Sequence, residues 1–360
     1  MKKKLAIILI IILIIIAVTI LSCCIFYNIN LKAVSEESTE VDFMVESGST
    51  YYSIASKLKE QDLIKNDFCF KLYVKFNKVN DLEAGTYKLN KNMNVKEIVN
   101  VFSSGNTYNP DAIVITFKEG KHMRSIANTI SKHTNNTEDD VYNLLKDTEY
   151  LNDLINDYWF VDKEILNTNI YYSLEGYLYP NTYEFKNKDV SVKDIFKVML
   201  DEMDKKITTY KTDILSNKYT VHEILTLASI VELEGANSDD RKGIAGVFYN
   251  RLNSNQTLGS DVTTYYASKV EFSDRDLYQA EIDDANNYNT RSSHLAGKLP
   301  IGPICNPSIK SIESVLYPEK HDYYYFVADV NGKTYFSKDY SEHLSTKNDL
   351  IEAGLWYIYE

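Results

Sequence analysis

Twenty-two consecutive uncharged residues, Leu5 to Phe26, follow Lys2, Lys3 and Lys4 at the start of the chain. An apolar helix of that length spans a hydrocarbon core of about 30 Å, and a segment committed to lipid cannot also build the core of a water-facing domain. A cleaved signal peptide has a shorter apolar centre, roughly 7 to 15 residues, and a small-residue cleavage site. No A-x-A site follows here. The run predicts an uncleaved, single-pass membrane anchor through residues 5–26. The lysines stay in the cytoplasm, so the body of the chain is expected outside it. In "ILSCC", bulky Leu21 stands where a lipid-attachment site needs a small residue, which argues against lipidation at Cys23.

Beyond the anchor the chain carries 36 basic against 51 acidic residues. No basic patch with interleaved aromatics occurs, so nucleic acid is excluded as a partner. A 44% hydrophobic and 12% aromatic content predicts folded, core-forming protein. The 29 tyrosines suit polar or sugar-like partners, although most serve as amphipathic core filler. His222–Glu223 lacks a second histidine four residues after the first, and no CxxC or Cys/His cluster exists, so no metal site is expected. Cys69 and Cys305 read as two lone buried thiols.

The predicted fold class is α+β: the anchor, a short polar stalk at 27–40, a LysM-like βααβ module at 41–105, and a larger mixed α/β catalytic domain at 112–360. The module rests on a repeat. "VDFMVESGSTYYSIASKL" and "AIVITFKEGKHMRSIANTI", aligned on Gly48 and Gly120, both run an alternating strand into a glycine turn and a helix. The second copy, 112–131, predicts another LysM-like strand–helix unit. Between them, Gly85 to Leu89 reads as a strand and Val95 to Phe102 as a helix. Residues 138–165 read as helical and acidic, and "SLEGYLYPNTYEF" as a turn-rich aromatic segment. A helix is expected over Val192–Thr209. "TVHE" at Thr220 is a capping box opening a helix that ends near Gly235. Arg241–Leu252 reads as a helix, and Tyr323–Asp329 with Thr334–Ser337 as a hairpin turning at Asn331–Gly332.

The helix opened by Thr220 carries "LTLASIVELEGAN", with Glu232 and Glu234 in an apolar run. At about 100° per residue, Glu232 stacks over Leu225 and Ala228, whereas Glu234 shares its side with Glu223. That favours Glu232 as the buried acid, without deciding between them. A carboxyl held among apolar side chains resists ionisation, as a general acid for glycosidic cleavage requires. Asp261 is the candidate second acid.

Seven motifs in one order then carry a resemblance: "LASIVE" with a second glutamate two residues on, "RKGIAGVFYNRL", "LGSDVTTYY", "YNT", "LPIGPICNP", "YYFVAD" and "YFSKDYSEH". With "LEGYLYPNTYEF" upstream, the chain resembles the MltG/YceG-like endolytic murein transglycosylases over nearly its whole length. The resemblance implies a lyase of the bacterial cell wall that cuts the MurNAc–GlcNAc bond of nascent glycan strands, leaving 1,6-anhydro ends. It implies Glu232, the residue closing "SIVE", as the catalytic acid. It implies Glu234, Asp261, Tyr288, Asn289, Thr290 and Asn306 as substrate-binding residues, peptidoglycan and the wall-synthesis machinery as partners, and no cofactor. Val262, Ile301, Ser308, Arg291 and Leu233 depart from the usual pattern. The alternatives are a non-catalytic glycan-binding scaffold and a hydrolytic muramidase.

Overall fold

The computed structural model describes residues 2–77, 79, 82–235, 237 and 239–356. It divides into two compact units, Met1–Asp111 and Ala112–Glu360.

The first unit begins with α1 (Lys2–Asn30), one continuous helix whose apolar side chains from Leu5 to Ile29 stand exposed. Its length and composition fit a single-pass membrane anchor. Residues 27–40 are no free stalk. The helix runs on to Asn30, and the chain is then fastened to its own unit: Val95 donates to the Leu31 carbonyl (3.0 Å) and Ser35 to that of Lys91 (3.1 Å). The acidic, polar composition concealed these backbone bonds.

Next come β1 (Glu40–Val45), α2 (Tyr51–Glu60), α3 (Asp67–Phe76), β2 (Gly85–Asn90) and α4 (Val95–Ser103). This is the βααβ order read from the sequence. The strands pair antiparallel, with Phe43 opposite Tyr87. Alternation drives Phe43, Val45, Tyr87 and Leu89 inward. In α4, Val95, Ile98, Val99 and Phe102 recur at helical spacing and meet them. Phe102 is the hub, with the rings of Tyr87, Phe43 and Tyr51 at 5.0, 5.8 and 6.0 Å.

The second unit contains β3 (Ile113–Thr116), α5 (Met123–His133), α6 (Glu138–Leu144), α7 (Thr148–Asp157), β4 (Thr182–Phe185), α8 (Val192–Ile207), α9 (Lys211–Leu215) and α10 (Val221–Glu234). It continues with α11 (Arg241–Asn253), α12 (Asp261–Ser268), α13 (Gln279–Ile282), α14 (Ile309–Leu316), the hairpin β5 (Tyr325–Ala328) and β6 (Thr334–Ser337), and α15 (Tyr340–Glu352). The strand–helix unit at 112–131 forms, but β3 pairs antiparallel with β4, from the segment read only as turns. Its strand thus closes a sheet inside the larger unit.

At the centre lies α10. Thr220 and Glu223 close its capping box, and Ile224 through Val231 are all buried. The helix packs on α11, α12 and α14, so it is apolar on every side and shows no stripe. Gly176 lets two loops meet: a Cβ there would lie 2.4 Å from Pro303. Cys69 and Cys305 are both free and buried.

Candidate active site

The two glutamates at the end of α10 lie roughly 200° apart around its axis. They consequently meet different neighbours.

The side chain of Glu232 is 5% exposed. Its Oε1 accepts from Arg241 Nη2 at 2.8 Å. Its Oε2 accepts from the Ser308 amide (2.9 Å), Ser308 Oγ (2.6 Å) and Ser311 Oγ (2.7 Å). Ser308 is the N-cap of α14, so the carboxylate also faces the positive end of that helix. Both oxygens are committed to donors. Through these bonds Glu232 joins α10, α11 and α14. Ser308, one of the departures from the usual motif, supplies two of the four donors.

Glu234 is partly open to solvent yet closely ringed by protein. Among the described residues it makes one bond, from Ser260 Oγ at 2.5 Å. Burial raises its pKa above the ordinary glutamate value; Asp261 pushes the same way, while Arg291 and Arg251 oppose. Desolvation prevails because neither arginine bonds it. Arg251 is spent on the carbonyls of Tyr324 and Leu258, and Arg291 on Asp261. Asp261 itself is 54% exposed and held in that ion pair.

Ser260 owes its position to a buried network. Its amide donates to Thr290 Oγ1 (3.0 Å), and Thr263 Oγ1 donates to its carbonyl (2.7 Å). Thr264 Oγ1 reaches Asn289 Oδ1 (2.8 Å), while Asn289 Nδ2 holds the carbonyls of Ile282 and Asp284. The Tyr288 hydroxyl accepts from the Tyr171 amide at 3.1 Å. Asn306 Oδ1 accepts from Leu178 N (2.9 Å) and its Nδ2 donates to the Lys121 carbonyl (3.1 Å). Tyr288, Asn289, Thr290 and Asn306 are buried, so none is available to a glycan. Expected to bind substrate, they here brace the loops behind the site, as buried amides and hydroxyls must find partners.

Asn306 fixes the turn at Gly120, whose amide donates to the Asn306 carbonyl at 3.0 Å. Gly120 has φ +70°, and a Cβ there would lie 3.3 Å from Leu233. This turn lies beside a cleft of about 310 Å³ lined by Leu233, Val262, Tyr265, Tyr266, Lys121 and Phe272, among others.

One residue escaped the sequence reading. Glu175, in "SLEGYLYP", is 1% exposed. It accepts from the Met123 amide (2.9 Å) and the Tyr266 hydroxyl (3.0 Å), with Asn306 Nδ2 at 3.4 Å. Burial pushes its pKa up to about 8. The signal was an acid in an aromatic, apolar segment. Its inaccessibility makes it a brace between α5 and α12, out of a substrate's reach. No group of ligating side chains suited to a metal occurs among the described residues.

The YceG-like family pattern matches residues 43–349. An endolytic murein transglycosylase of Bacillus subtilis (strain 168) is 39% identical over 326 residues, 90% of this chain and 88% of that protein. One of Streptococcus pneumoniae is 33% identical over 313 residues, 83% of this chain and 56% of that longer protein. The 2.6 Å crystal structure of a putative yceG-like protein from Listeria monocytogenes aligns with a TM-score of 0.60 at 35% identity, covering 86% of this chain and all of that one. With the family pattern and these relatives spanning the α10 glutamates, the cleft and the loops that brace them, the chain belongs to the YceG-like family.

Proposed function

We propose that this protein is a membrane-anchored endolytic lytic transglycosylase of peptidoglycan, with Glu234, in place of the Glu232 expected from the motif, as its acid. The observation that carries the assignment is the contrast between the two carboxyls. Glu234 is desolvated and, among the described residues, accepts from one hydroxyl. Glu232 accepts from four donors, one on Oε1 and three on Oε2. The relatives' names support the reaction.

Glu234 holds a proton, oriented by Ser260, and gives it to the glycosidic oxygen between N-acetylmuramic acid and N-acetylglucosamine. The bond from C1 breaks. The resulting carboxylate removes the proton from the muramic C6 hydroxyl, whose oxygen closes on C1 and leaves a 1,6-anhydro end. Proton and electron pairs balance within substrate and one side chain. An internal nucleophile has an effective molarity of about 10⁵ M or more, so no second carboxylate has to position water. Asp261, paired with Arg291, is not free to do so.

The anchor places the second unit on the outer side of the membrane, where nascent strands and the wall-synthesis machinery are. Residues 41–105 act as a LysM-like module that holds glycan. Mass spectrometry of peptidoglycan digested by the protein tests the reaction. Anhydro-muramic ends support it; reducing ends identify a hydrolase, and bound but uncut glycan a scaffold.

A further inference from the structure

The cleft beside Leu233 has a basic wall that the cleavage chemistry does not use. At its far side it meets a second cavity of about 590 Å³, and Lys121, His122, Arg124 and Glu271 line both. The basic residues come from the glycine turn and the start of α5. In a chain with twelve more acidic than basic charges, their clustering on a cleft wall stands out.

The cluster already holds a carboxylate. Glu271, from the segment between α12 and α13, accepts from His122 Nε2 at 2.7 Å and Arg124 Nη2 at 3.1 Å. Its side chain is 47% exposed. Next to it Phe272 is exposed and rests edge-on against Tyr265, ring centroids 5.2 Å apart. Arg124 lies 5.7 Å from the centre of the Tyr266 ring, which is tied to Glu175, and among the described residues its Nη1 has no hydrogen-bond partner. Lys121 adds an ammonium with no acidic partner among the described residues.

We propose that His122, Arg124 and Lys121 form a carboxylate-binding subsite that reads the acidic stem peptide carried by muramic acid, with Glu271 occupying it until a strand arrives. The inference rests on the proposed reaction and names what the cleft recognises besides sugar. Two geometric facts support the exchange. The incumbent is itself a carboxylate, so a substrate carboxylate replaces like with like. A half-exposed ion pair is weakly held, so it yields to a ligand positioned by the neighbouring sugar contacts. An arginine and an imidazole offer directed donors suited to a planar carboxylate.

The test compares glycan strands whose stem-peptide carboxyl groups are free with the same strands amidated, using the full chain in detergent. Wild type is expected to favour the free-acid strands about tenfold in kcat/KM, chiefly through KM. Arg124→Gln should bring that ratio near one, Arg124→Lys should keep part of it, and Glu271→Gln should increase it. Calorimetric titration with a muramyl tetrapeptide and its amidated form gives a readout that needs no turnover. There Arg124→Gln should weaken only the free-acid probe. Equal binding of both probes by wild type, or an unchanged preference in Arg124→Gln with an unchanged melting temperature, overturns the subsite. Should Arg124→Gln fail to fold, a Glu271→Gln preference equal to wild type overturns it. Absence of anhydro product with selective probe binding would instead count against the reaction and leave the subsite supported.

Discussion

Replacing Glu175 by glutamine should change how stability depends on pH. The folded protein holds this carboxyl neutral up to about pH 8, against an ordinary value of 4.5. The sign follows from proton binding. Below pH 4.5 both folded and unfolded chains carry the proton, and Glu175 makes no pH-dependent contribution. Between 4.5 and about 8 the unfolded chain releases it and the folded one does not, so stability falls as pH rises through that window. At about 1.4 kcal/mol per unit, the difference of about 3.5 units amounts to on the order of 5 kcal/mol across the window. Glutamine mimics the protonated acid: its carbonyl can still accept from Met123 and Tyr266, and its NH₂ replaces Oε1, giving up only the long 3.4 Å bond from Asn306 Nδ2. Glu175→Gln should therefore flatten the decline, with little difference from wild type at pH 4 and a clear gain at pH 9. Glu234 is shifted the same way and declines in both proteins, so the difference between them isolates Glu175. Chemical denaturation from pH 4 to 9 measures it. Parallel curves for the two proteins would show that Glu175 ionises normally and that its burial has been misjudged.

Three further outcomes are expected. Ser308→Ala removes a hydroxyl bonded to Glu232 and Arg241, and should lower stability by about 1–3 kcal/mol in denaturant unfolding; no change would mean that Glu232 is not the anchor described. Protease added to intact, wall-stripped cells should degrade the second unit, and full protection until lysis would reverse the topology. Deleting residues 41–105 should weaken function in cells while leaving anhydro product in vitro; complete loss of turnover in a folded truncation would place part of the chemistry there.

Local signals were legible where one segment contains the whole cause. The capping box at Thr220, the βααβ order, the hairpin turn at Asn331–Gly332 and the end of α10 at Gly235 each depend on residues within a few positions. The site was legible only to the level of a pair of glutamates. Stacking along α10 compares only neighbours three and four residues away. What sets the two apart is distant in sequence: Arg241, Ser308 and Ser311 donate to Glu232, while Ser260 donates to Glu234. Asn289, Thr290 and Asn306 stood in motifs with polar side chains, which read equally as ligand contacts or as loop braces. Their complete burial, which depends on segments far away in the chain, favours the second. Strand β4 was hidden because its partner lies 66 positions away, Thr116 opposite Thr182.

The central claim is that Glu234 is the acid and Glu232 the anchor. The most direct measurement is anhydro-muramic product from nascent glycan, with thermal melting alongside, for Glu234→Gln and Glu232→Gln. Losing a general acid typically costs about 10²- to 10⁴-fold in rate. Glu234→Gln should therefore abolish measurable product with its melting temperature unchanged or slightly raised, since a neutral amide replaces a desolvated carboxyl. Glu232→Gln should melt lower, because it leaves the Arg241 guanidinium short of its counter-charge. Wild-type product from Glu234→Gln, or loss of product from Glu232→Gln at an unchanged melting temperature, would contradict the assignment.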